Sequence, residues 1–164
     1  MQDIHVLKLL LMSDEITIRI ANASDADSLI AFNQAMALET EGKQLAPDIL
    51  SKGVNSVLID TRKGFYVVAE SSEGKVIGGL MITFEWSDWR NQWFWWIQSV
   101  YVLPEYRNRG IYRKLYDFVK SKARQEGSVY GFRLYVDKEN ITAQKVYEKL
   151  GMKESHYLMF EEKL

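Results

Sequence analysis

The chain has no cysteine, and only two prolines and two histidines among its 164 residues. Without cysteine there is no disulfide framework, no thiol nucleophile and no thiolate metal site. His5 and His156 lie far apart in sequence, so no metal centre is expected. A formal net charge of -1 and a pI near 6.2 give no general attraction to nucleic acid or to an anionic membrane. Long apolar runs are also missing, and nothing approaches the roughly 18 residues of a membrane helix. The opening MQDIHVLKLLLMS is short, is interrupted by Lys8 and carries Asp3 where a signal peptide needs positive charge. Residues 1–13 therefore read as an extension outside the core, with Met12 as an alternative start just before the first strand. A cytoplasmic location is the expectation.

What is present suits one globular domain over 14–164. Hydrophobic residues make up 47% and charged residues 26%, enough for a core and too few charges for disorder. ITIRI (16–20) alternates and reads as a strand. A helix follows, with Ser24 as its expected N-cap and Leu29, Phe32, Ala35 and Met36 at helical spacing. A second, weaker helix is expected after Pro47. Three strand-like runs come next, at 64–70, 76–86 and 92–102, separated by the turn-like SSEGK and SDWRN. After Pro104, Ile111, Leu115, Phe118, Val119 and Ala123 mark a helix that Gly127 should stop. FRLYV (132–136) reads as a strand, TAQKVYEKLG as a short helix and HYLMFE (156–161) as a last strand. The order predicts a mixed α/β domain in which the strand–helix–strand unit of 93–136 forms a parallel pair.

The stretch VYVLPEYRNRGIYRKLYDF (100–118) carries the chemical signal: a strand, a basic loop, and a helix beginning near Gly110. The first amides of a helix lack internal partners, and its dipole favours an anion there. Strand, loop and helix with a glycine at the bend thus make a phosphate cradle. Arg107, Arg109 and Arg113 add charge around it. Neither GxxxxGK[ST] nor GxGxxG is present.

Arg-x-x-Gly at 107–110, directly after the strand end, resembles the coenzyme A loop of the GNAT superfamily of N-acetyltransferases, although Tyr112 stands where that loop has a small residue. YVDKENITAQKVYEKLGM (135–152) resembles the same family's C-terminal motif through Asn140, Ala143, Tyr147 and Gly151. The resemblance implies a mostly antiparallel mixed sheet with a splayed parallel central pair, flanked by helices. It implies acetyl-CoA as co-substrate, no metal, and transfer to a primary amine of a small molecule or peptide by direct attack. The pantetheine arm would lie along Val100, Tyr101 and Val102. The diphosphate would rest on the amides of Asn108, Arg109, Gly110, Ile111, Tyr112 and Arg113, with Arg107, Asn140 and Tyr147 also contacting the cofactor.

Direct attack needs a neutral amine, and at pH 7 only about one lysine-like amine in a thousand is neutral. The tetrahedral oxyanion needs a donor, for which the Val100 N–H is the candidate. By resemblance, Tyr147 would supply a proton or hydrogen bond to the leaving thiolate; its spacing also fits the apolar face of its helix. Asn140 reads equally as a helix cap or a cofactor contact. Gln98 occupies the strand neighbourhood where many family members have a glutamate, and it makes a poor base. Glu39, Glu41, Glu85 and Asp88 are carboxylates that could draw a cationic amine. Five tryptophans lie within Trp86–Trp96, with Trp93 and Trp95 on one strand face and Trp96 on the other. They read as core plus a homodimer contact, or as an aromatic wall around Trp95 that holds an ammonium group. Two other functions compete: a non-catalytic acyl-CoA-binding module, and a nucleic-acid-binding helix using Arg107, Arg109, Arg113, Lys114, Lys120, Lys122 and Arg124, which the acidic balance opposes.

Overall fold

A computed structural model describes residues 15–164; the expectations for residues 1–13 and Met12 lie outside the described residues. The chain falls into two compact units, one ending at Leu134 and the other running from Tyr135 to Leu164.

The first unit is a five-stranded sheet in the order β1-β2-β3-β4-β5: β1 Thr17–Ile20, β2 Phe65–Glu70, β3 Val76–Ser87, β4 Gln92–Val102 and β5 Val129–Arg133. The first four are antiparallel neighbours, and β5 pairs parallel to β4. This is the expected mixed sheet. Its helices are α1 (Ala26–Glu41), α2 (Pro47–Ile59) and α3 (Ile111–Glu126). Tyr66 and Val68 on β2 pack with Leu29 of α1 and Val54 of α2. Their neighbours Val67 and Ala69 point to the other face by strand alternation and are fully buried. That face meets α3, whose Leu115 and Val119 have no exposed surface. The core is therefore two layers of helix around one sheet.

Helix boundaries follow local chemistry with one correction. Ser24 is not the cap: Asn22 accepts from the Ser24 amide at 2.9 Å and Asp25 accepts from the Asn22 amide at 2.8 Å, a capping box on a 3-10 turn that leads into α1. Asp25 also takes two hydrogen bonds from Arg19 of β1, at 2.8 and 2.9 Å, which holds its carboxyl below the usual range. Pro47 opens α2, and Gly127 closes α3 in the left-handed region at φ 69°. On α3, Tyr116 rather than Phe118 joins the buried stripe.

The expected strand at 132–136 is displaced. Pairing starts at Val129, because β5 aligns with the start of β4, and it ends at Arg133 opposite Trp96. In the second unit, α4 spans Ile141–Lys149. Asn140 caps it by accepting from the Ala143 amide at 3.0 Å. The strand expected at 156–161 does not form; Tyr157, Leu158 and Phe160 are exposed. A strand exists only through pairing, and no described strand pairs with this segment.

Candidate active site

Beyond Trp96 and Arg133, β4 and β5 part, and β4 continues to Val102 bonded only to β3 among the described residues. That leaves an open edge from Ile97 to Val102. The pairing with β3 also slips by one residue there: Met81 faces Gln98 and Gly79 faces Tyr101, so Ser99 and Val100 together oppose Leu80. This is a β-bulge, and Ser99 takes the left-handed φ of 51° that lets the strand turn. The Leu103 amide donates across to Ile77 on β3 at 2.9 Å. In a trans peptide the preceding carbonyl points the opposite way, so the Val102 carbonyl faces the open edge.

A 3-10 turn, Pro104–Tyr106, carries the chain from β4 into the loop, and Asn108 and Gly110 adopt left-handed φ values of 62° and 73°. Gly110 is the N-cap of α3, without a side-chain cap and without an acidic residue in the first turn. The first internal bond of the helix runs from the Lys114 amide to the Gly110 carbonyl at 3.1 Å. The amides of Ile111, Tyr112 and Arg113 therefore precede the helical ladder at its positive end. Apart from its two chain neighbours, no atom of the described residues lies within 4 Å of where a Gly110 side chain would begin. Glycine is favoured there by the backbone angle, and the space beside it is open. This is the geometry of an anion cradle at the end of an open strand edge.

The arginines differ in what they do. Arg107 donates through Nε to the Val102 carbonyl at 2.9 Å and through Nη2 to Glu39 at 2.7 Å, with its guanidinium 5.3 Å from the Tyr101 ring centre. Tyr101 donates its hydroxyl to the other oxygen of Glu39 at 2.7 Å and packs on Phe32. The two expected cofactor contacts Tyr101 and Arg107 are thus turned toward α1, and Arg107 occupies the outward carbonyl of Val102. The Tyr101 hydroxyl, followed by Arg107, holds the Glu39 carboxyl below the usual glutamate range. Arg109 lies 5.2 Å over the Tyr106 ring, and Arg113 is exposed on the first turn of α3. Ile111 buries its side chain in the core, and Tyr112 stacks on Tyr116.

Three of the four carboxylates expected to draw a cation already hold one. Glu39 pairs with Arg107, Glu41 with Lys43, and Glu85 with Arg133. Glu85 also accepts from the Trp96 indole N–H, and Gln98 donates to Thr83 beside it. Asp88 accepts the amide of its neighbour Trp89 at 2.8 Å. Glu85 of β3 and Trp96 and Gln98 of β4 share the α1/α2 face of the sheet at the fork. Trp95 does not join them. It faces α3, is 4% exposed, and packs on Phe65, Phe84 and Phe132. With Trp93, Lys122 and Glu126 it lines a separate cavity of about 440 Å³.

Asn140 and Tyr147 belong to the second unit. Tyr147 is half-buried on α4, and burial pushes its phenol above the ordinary tyrosine value. It therefore keeps its proton at neutral pH. Among the described residues no group of three or more metal-ligating side chains comes together, and no helix is long and apolar enough to cross a membrane. The partners of Arg107 and Glu85 carry no sequence signal, because they sit on distant elements that only the fold brings together.

The comparisons match this geometry. A family model described as the acetyltransferase (GNAT) family matches residues 29–152. The N-terminal acetyltransferase B complex catalytic subunit NAA20 of Arabidopsis thaliana is 31% identical over 87 residues, 53% of this chain and 49% of that protein, so the chain spans about half the length of this curated relative. The crystal structure of "a possible acetyltransferase from Clostridium difficile 630" is similar with a TM-score of 0.85 and 48% identity, covering 91% of this chain and 97% of that one. AAC(6')-Iy in complex with the bisubstrate analog CoA-S-monomethyl-acetylneamine shares the fold alone, with a TM-score of 0.73 and 19% identity over 92% and 99% of the two chains.

Proposed function

The chain belongs to the acetyltransferase (GNAT) family, whose members use acetyl-CoA, and from that premise we propose that it transfers the acetyl group to a primary amine of a small molecule or peptide by direct attack. The observation that carries the proposal is the uncapped start of α3 behind Gly110, standing at the end of the open β4 edge. The diphosphate is held by the amides of 111–113 with Arg109 and Arg113 beside it, and the arm runs along the edge from Val102 toward the bulge. The similar structure of AAC(6')-Iy holds a coenzyme A analog, which supports this use of the fold. Acetyl-CoA supplies the activated thioester. The amine nitrogen attacks the thioester carbon, the C–S bond breaks, and the amine proton leaves to water or a base. An amide of the bulge, that of Val100, donates to the oxyanion. Tyr147, kept neutral by burial, donates a hydrogen bond or its proton to the departing thiolate.

Thiol release from acetyl-CoA, measured over a panel of amines, tests the proposal. Tyr147→Phe is expected to lower kcat by about 10²-fold with coenzyme affinity nearly unchanged. Full activity of that variant would remove the acid role. Coenzyme binding without thiol release from any amine would make the chain a binding module.

A further inference from the structure

We infer that the chain carries a second binding site, on the α3 face of its sheet, for an uncharged, flat apolar molecule with one acceptor oxygen, which the Trp95 indole N–H holds. The site is the cavity of about 440 Å³ between the later turns of α3 and the start of β4. That volume suits a bicyclic small molecule. It stands apart from the coenzyme cradle. Lys122 follows Gly110 by twelve residues of α3, about 18 Å along a helix. Trp95 precedes Val100 by five residues of β4, about 16 Å along a strand.

The walls are formed by rings that support one another. Phe65 meets the Trp95 ring edge-on at 5.3 Å, and Phe84 lies 6.0 Å from Trp95 and 6.3 Å from Trp93. Trp95 is 4% exposed, and its indole N–H makes no hydrogen bond among the described residues, in contrast to that of Trp96, which Glu85 accepts. A buried indole ordinarily has an acceptor, and an unmet donor is costly. The nitrogen is not sealed by protein, so an acceptor in the cavity that Trp95 lines can reach it.

The charges of the site are already balanced. Lys122 and Glu126 are the charged residues of the lining, and they pair with each other at 3.6 Å. The Lys122 ammonium also sits 5.7 Å from the centre of the Phe65 ring, the kind of place a ligand cation would take. Outside the lining, Arg62 and Lys63 pair with Asp60, and Arg62, Lys63 and Arg124 are exposed, where salt and water screen them. An anion would have to displace Glu126 from Lys122, and a cation would have to displace Lys122 from Glu126. An uncharged molecule disturbs neither.

The test titrates a matched series of bicyclic probes into the native protein without acetyl-CoA: 1-tetralone, tetralin, 1,2,3,4-tetrahydro-1-naphthoate and 1-aminotetralin. Indole N–H resonances of the nitrogen-15-labelled protein give each affinity, and Trp95→Phe identifies its signal. 1-Tetralone is expected to move the Trp95 signal and to bind about fivefold tighter than tetralin, the size of one neutral hydrogen bond. It should also bind tighter than either charged probe. Trp95→Phe should bring the ratio of ketone to hydrocarbon close to one. Glu126→Gln, a change on the exposed side of α3, should keep that ratio and raise the affinity of the naphthoate about threefold, because Lys122 loses its partner. Should Trp95→Phe not fold, the native titration and Glu126→Gln decide the matter. Acetyl-CoA affinity by calorimetry should be the same with 1-tetralone present. A still Trp95 signal, equal binding of ketone and hydrocarbon, or tighter binding of a charged probe to the native protein overturns the inference. So does competition between 1-tetralone and acetyl-CoA, which would put the probe at the coenzyme site. The titration needs no turnover, so its failure leaves the transferase reading untouched.

Discussion

From Trp93 to Trp96, β4 has a strand on each side, and its side chains fill the sheet faces with rings. From Ile97 to Val102 it has a strand on one side only, carries a bulge and ends in a left-handed loop. One strand therefore serves two purposes. The first half obtains its stability from pairing and aromatic burial. The second half leaves main-chain groups available and tolerates strained backbone to do so. Damage to the first half should appear as lost stability, and damage to the second as lost binding.

Trp95→Ala should break the comparison on the stable side. Removing a ring that is 4% exposed and packed on three others should cost about 3–5 kcal/mol. A thermal melt should show a fall on the order of 10 °C. A melt unchanged within a degree would mean that the aromatic half carries little of the stability.

Gly110→Glu should break it on the open side. The left-handed backbone costs about 1 kcal/mol with any side chain, and the carboxylate repels the diphosphate. Acetyl-CoA affinity by calorimetry should fall about 100-fold while the protein stays folded. Unchanged affinity would move the coenzyme away from this loop.

A smaller effect concerns the tie between α1 and the end of β4. The Glu39 carboxyl is held low by Tyr101 and Arg107, so its contribution is present above the ordinary glutamate value of about 4.3 and fades as pH falls below it. Because Glu39 and Arg107 are about two-fifths exposed, solvent screens much of the pair. Glu39→Gln should raise amide exchange in the last turn of α1 about threefold at pH 7 and remove its acid dependence. Identical exchange in the two proteins would show the tie to be idle.

Ser99→Gly should sharpen the comparison most gently. Relief of the φ of 51° should stabilise the fold by about 0.5 kcal/mol, seen as a small rise in denaturation midpoint. A loss of more than about 1 kcal/mol would mean that the Ser99 side chain, rather than the bulge itself, holds the turn.

Local chemistry made much of this legible. The bounds of β4, the stop of α3 at Gly127 and the cap by Asn140 follow from alternation, a left-handed glycine and a side-chain acceptor. The loop at 107–110 was legible as a cradle because uncapped amides behind a glycine are a property of a few consecutive residues. The shift of β5 to Val129 was not, since its register belongs to β4. Nor was the failure of 156–161 to pair, because alternation shows what a strand would bury and not whether an edge awaits it. The commitments of Arg107 to Glu39 and of Arg133 to Glu85 span 68 and 48 residues of chain and leave no trace in either neighbourhood.

By itself the sequence determined the helices, the first four strands and where α3 begins, since those depend on residues a turn or two apart. Only the tertiary structure decided which edge of β4 stays open and which cations Glu39 and Glu85 hold. Those outcomes depend on groups far apart in the chain, whose charges and hydrogen bonds reach only a few ångströms and so act only once the fold has brought them together.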